Sequence, residues 1–199
     1  MPTLTEGRLM FEFPDGWNVT QLDNWSFYRK QFQKLGNGIR LTCGHCDAEL
    51  RCKQCDSAKT VGIKCVDFLA LDAQQICWLI EVKDYTENRR TKTIDLADET
   101  ALKVRDSLSL LAVASRNAND LDEKSLARRA IDSPRIRVVL HLEQPTKSSR
   151  LFPHAIDPAH VRQRLKQLIK SVDPHPQVSG RARMGVAAEW TAKPVRLDR

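Results

Sequence analysis

The chain has 199 residues, of which 41% are hydrophobic and 29% charged. That length suits one core, or a core with a small added module, and the composition is neither that of a disordered chain nor that of a membrane protein. No apolar run approaches the roughly 18 residues of a membrane span, and the first residues lack a charged-then-apolar leader pattern, so a soluble, cytoplasmic protein is expected.

The net charge of +7 is unevenly distributed. Residues 1–145 hold 21 Lys and Arg against 21 Asp and Glu, whereas residues 146–199 hold 11 basic side chains against four acidic ones. A one-sided basic region suits a polyanion, usually nucleic acid, and suits equally a solvated helix face with a soluble tail.

Residues 1–16 read as an irregular or partly extended arm with a turn at Pro14-Asp15-Gly16. From Thr20 to Leu35, Leu22, Trp25, Tyr28, Phe32 and Leu35 recur at helical spacing, which predicts an amphipathic helix ended by Gly36-Asn37-Gly38. Residues 39–58 carry Cys43, Cys46, Cys52 and Cys55 and read as an inserted loop module. Two strands follow, Val61–Leu71 and Gln75–Lys83, close enough to form a hairpin. The second alternates Ile76, Trp78, Ile80 and Val82 with Cys77, Leu79, Glu81 and Lys83. A helix is predicted from about Asp98 to Ser115, capped by Asp95 or Asp98, and a strand over Arg135–Glu143 between Pro134 and Pro145. Asp157-Pro158 marks a further helix start, N-cap then N1. Trp190 gives the Gly-, Pro- and Arg-containing tail a short strand. The expected fold class is α/β, with a central mixed sheet flanked by helices.

The hairpin carries the chemistry. Asp67 lies inside one apolar strand, and Glu81 and Lys83 share one face of the next. Charged groups ending such a run are costly to bury unless they pair or meet a metal. Asp67 and Glu81, with the Val82 carbonyl, form an oxygen-rich set suited to Mg²⁺. Lys83 would then orient a metal-bound water and offset charge in an in-line attack on a phosphodiester. The plain alternative is a surface hairpin in which Glu81 and Lys83 are solvated and Asp67 caps a turn.

Asp67, followed fourteen positions later by Glu81-Val82-Lys83, in the order helix, hairpin, helix, strand, resembles the PD-(D/E)xK nuclease superfamily over about residues 17–145. Val66 stands where that motif usually has proline. The first helix offers Gln21, Gln31 and Gln33 but no glutamate, which leaves Glu12 as the candidate third acid. The resemblance implies a restriction-endonuclease-like core and a Mg²⁺-dependent endonuclease, a hydrolase acting on DNA before RNA, with prokaryotic antiviral defence among its settings. It also implies a homodimer or a larger defence complex. The rival expectation is a non-catalytic nucleic-acid-binding or assembly subunit on the same scaffold.

Cys43-Gly-His-Cys46 and Cys52-Lys-Gln-Cys55 are two C-x2-C pairs, and four thiolates make a structural Zn²⁺ site, here a small zinc-knuckle insertion. His45 could replace one thiolate, and an iron–sulfur cluster or a metal-free redox loop are the alternatives. The expected phosphate contacts are Arg89 and Arg90 after the hairpin, Lys103 on the second helix, and Arg162, Arg164 and Lys166 on the last. The predicted organisation is a core over 1–145 containing the 39–58 insertion, followed by a basic helix and tail over 146–199.

Overall fold

A computed structural model describes residues 1–35, 63–88, 90–145, 156–181 and 189–195. Its strands are β1 (Thr3–Glu6), β2 (Leu9–Glu12), β3 (Asn18–Gln21), β4 (Phe68–Leu71), β5 (Cys77–Asp84), β6 (Ile136–Glu143), β7 (Gln177–Ser179) and β8 (Thr191–Pro194). Its helices are α1 (Ser26–Lys30), α2 (Leu96–Asn117), α3 (Leu121–Ile131) and α4 (Pro158–Ile169). The chain is α/β. A five-stranded mixed sheet runs β3-β4-β5-β6-β7, antiparallel through β5 and parallel from β5 to β7. The second sheet, β1-β2-β8, is antiparallel. No described helix is long and apolar enough to cross a membrane.

The alternation of β5 sorts two cores. Cys77 and Leu79 face the helices, where they meet Val138 and Leu140 of β6, Val104 and Leu111 of α2, and Val161 and Leu165 of α4. Trp78, Ile80 and Val82 face the small sheet, where Phe11, Phe13, Trp17, Phe68 and Trp190 close an aromatic core. Trp17 stacks on Trp78 with ring centroids 5.8 Å apart, and Trp190 meets Trp78 edge-on at 5.5 Å. This is the offset and edge-to-face geometry that aromatic quadrupoles favour.

Several expectations are corrected here. The first segment takes the extended form of the two expected, and more fully: Thr3–Glu6 and Leu9–Glu12 pair as a hairpin around Gly7, whose φ of 57° suits glycine. The helix expected over Thr20–Leu35 is broken into a 3-10 turn at Leu22–Asn24, the five residues of α1 and a second 3-10 turn at Phe32–Lys34. Trp25, Phe27, Tyr28 and Phe32 are all buried, so large side chains on more than one face pin the segment to the sheet. α3 is additional, started by Asp120, whose side chain accepts from the N–H groups of Asp122 and Glu123. α2 begins two residues before the expected start, capped by Asp95. After residue 145, β7 extends the main sheet, β8 pairs with β2, and α4 buries Val161, Leu165 and Ile169.

Candidate functional site

The β4–β5 register pairs Phe68 with Ile80, and one further step sets Asp67 opposite Glu81 on the helix-facing side. The Val82 N–H donates to Asp67 Oδ2 at 2.7 Å, locking the aspartate at the strand mouth. Glu81 is 1% exposed and Asp67 8%. Lys83 returns along its own strand to pair with Glu81 Oε1. The structure therefore brings Asp67, Glu81 and Lys83 together.

The fourth member comes from α2. Lys103 Nζ lies 2.7 Å from Glu81 Oε1, 2.8 Å from Glu81 Oε2 and 3.5 Å from Asp67 Oδ1. Lys103, expected on a phosphate, instead points into the fold and bridges the two acids. Helical spacing exposed its position on α2 but could not show what the helix packs against. Lys103 also lines a cleft of about 310 Å³ with Asp23, Tyr28, Arg29, Gln33 and Lys64, which opens beside the acid pair.

Burial, then the neighbouring Asp67 charge, push the Glu81 carboxyl up to about 7 against the pull of Lys103 and Lys83. Burial alone would lower the Lys103 ammonium, but Glu81 and then Asp67 outweigh it and raise it. Glu6 and Asp23 are raised as well, by burial first and by Asp67 second. The cluster is thus rich in acid, and its strongest interior cation is an ammonium.

The acids expected to hold Mg²⁺ are paired within the chain. Both Glu81 oxygens face ammonium groups, and the Asp67 oxygens take Lys103 and the Val82 N–H. Among the described residues no group of three or more His, Cys, Asp or Glu side chains could hold a metal ion. Glu12, the candidate third acid, lies on β2 and pairs with Thr191 and Lys193 of β8.

Other expected contacts are also committed elsewhere. Arg90 is paired with Glu99 at 2.8 Å and donates to the Tyr85 hydroxyl and the Ile94 carbonyl. Lys92 completes that cluster, and despite burial its hydrogen bond and Arg90's hold the Glu99 carboxyl down at about 2. Arg164 reaches Asp98 of α2 at 3.1 Å. Arg162 and Lys166 are exposed on α4. Arg89 and the thiols of Cys43, Cys46, Cys52 and Cys55 lie outside the described residues.

Over 172 residues, 81% of this chain, the sequence is 36% identical to a cysteine–tRNA ligase of Neisseria meningitidis. The chain spans about a quarter of that relative's length, 24%. No family model matches the chain, and no solved structure matches it. The similarity corrects the functional expectation drawn from the hairpin. The relative is named a ligase, not a nuclease, endonuclease or other hydrolase, and that finding overturns the nuclease expectation.

Proposed function

We propose that this chain binds tRNA in a role tied to a tRNA ligase. The observation that carries the reading is its 36% identity, across 81% of its length, to a cysteine–tRNA ligase. The chain corresponds to 24% of that relative, so holding the nucleic acid, rather than the whole ligation reaction, is the share assigned to it. The basic excess after residue 145 supports a polyanionic partner.

The scaffold proposed is that of the PD-(D/E)xK superfamily. The antiparallel β4–β5 hairpin, the α2 crossover to a parallel β6 and the placement of Asp67 opposite Glu81 support it. Asp67, Glu81 and Lys83 then retain the motif while Lys103 makes it an ion cluster. A structural Zn²⁺ on Cys43, Cys46, Cys52 and Cys55 is proposed from their paired spacing.

The test is fluorescence anisotropy with a labelled cysteine-accepting tRNA transcript and a duplex DNA of similar charge, at about 50 and 200 mM salt, a range over which phosphate contacts weaken strongly. Salt-sensitive binding that favours tRNA is expected. Tighter binding to the duplex, or no binding to tRNA at the lower salt, overturns the reading.

A further inference from the structure

α4 separates its side chains cleanly. Val161, Leu165 and Ile169 recur every four residues and are buried, so the opposite face is presented to solvent. The exposed positions of α4 include His160, Arg162 and Lys166. Together with Arg137 at the start of β6 and His175 before β7, they line a cleft of about 800 Å³. Three cations and two imidazoles from three parts of the fold thus converge, with Asp157 as the acidic residue of the lining. The Asp157 carboxylate already accepts the Ala159 N–H as the helix cap.

A buried carboxylate organises the cleft from behind. Asp173 is 1% exposed, and its Oδ2 accepts the Val138 N–H at 2.9 Å. Its Oδ1 accepts the His175 N–H at 2.9 Å and lies 3.6 Å from Arg137 Nη1. One side chain therefore ties the β6 start, the loop before β7 and the Arg137 guanidinium together. Arg137 is held further by Trp78, its guanidinium carbon 5.9 Å from the ring centroid. Arg162 and Lys166 make no ion pair among the described residues, in contrast to Arg164 on the same helix. Paired cations such as Arg164 and Arg90 have spent their charge within the fold. Among the described residues Arg162 and Lys166 have not, while Arg137 is held at the cleft wall by Asp173.

We infer that this cleft, formed by α4 with Arg137 and His175, is the surface that grips the RNA phosphate backbone. The inference rests on the tRNA-binding reading and assigns it a place. Arg162 and Lys166 supply the exposed charge, Arg137 is pre-positioned at the cleft wall, and His160 and His175 donate hydrogen bonds to phosphate oxygens. Such contacts fix position on the strand without reading bases.

The experiment compares wild type, Arg162→Ala/Lys166→Ala, Arg162→Glu and the exposed off-cleft control Lys30→Ala in the tRNA anisotropy assay across a salt series. Melting curves for each variant confirm that the fold is retained, as expected for solvent-facing positions. The double variant should lose roughly tenfold or more in affinity, and its slope of log affinity against log salt should fall by about 1–2, since each phosphate contact contributes nearly one to that slope. Lys30→Ala should match wild type. Wild-type binding with an unchanged slope in the double variant overturns the cleft and leaves tRNA binding intact. Absence of wild-type binding overturns the underlying reading instead. An equal affinity for a poly-glutamate chain would mean that the cleft is an unspecific polyanion surface, and would overturn the RNA assignment.

Discussion

Lys103 Nζ lies 2.8 Å from Glu81 Oε2 and 3.5 Å from Asp67 Oδ1, so one ammonium from α2 stands between the two acids of the β4–β5 hairpin. Burying two carboxylates opposite each other is unfavourable without a counter-charge, and Lys103 provides it from 36 positions away in sequence from Asp67.

Removing that charge should be expensive. Lys103→Met is expected to cost about 3 kcal/mol in urea unfolding at pH 7.5, the usual scale for breaking one side of a buried pair. Adding Glu81→Gln should recover a large part of the loss, because the orphaned charge disappears with its partner. A Lys103→Met variant as stable as wild type would show that the ammonium is not needed there.

The same pair sets a pH dependence. Glu81 is raised from 4.5 to about 7 in the fold, so between those values the native state holds more protons than the unfolded chain. Stability should therefore decline as pH rises through that window and level off above it. Glu99 acts in the opposite sense: lowered to about 2, it contributes stability above 4.5 that is lost as pH falls towards 2. Melting temperatures from pH 3 to 8 should show both limbs, with Glu81→Gln flattening the upper one and Glu99→Gln the lower.

Asp173→Ala should destabilise by about 2 kcal/mol, since it orphans the buried Val138 N–H, a loss of about 1–3 kcal/mol. It should also weaken tRNA binding by releasing Arg137. Denaturant melts and the anisotropy assay on one preparation check both effects.

Metal analysis should return about one zinc per chain, and less than half of that for Cys43→Ser/Cys46→Ser, if the two C-x2-C pairs close one tetrahedral site. Millimolar Mg²⁺, by contrast, should leave the melting temperature of the wild type unchanged.

Much of this was readable locally. Strand alternation alone put Glu81 and Lys83 on one face and Trp78, Ile80 and Val82 on the other, and both faces are occupied as that pattern requires. Asp157-Pro158 marked the start of α4 because its cap chemistry is local. α3 leaves no apolar stripe in the sequence because its buried side chains, Ala127 and Ala130, are too small to mark one. The helix over Thr20–Leu35 failed for the reverse reason: many large apolar residues imitate a stripe while each is held by a different neighbour.

By itself, then, the sequence determined the hairpin, the shared face of Glu81 and Lys83, and the basic bias after residue 145. Only the tertiary structure decided how each charge is used. Lys103 and Arg164 sit on helix surfaces like many phosphate contacts, yet one is drawn into the acid pair and the other to Asp98. Arg137, early in a strand and far from α4 in sequence, joins Arg162 and Lys166 at one cleft. Periodicity fixes which way a side chain leaves its own element. What it meets depends on the packing of elements distant in the chain, and that meeting determines whether a charge is neutralised or left for a partner.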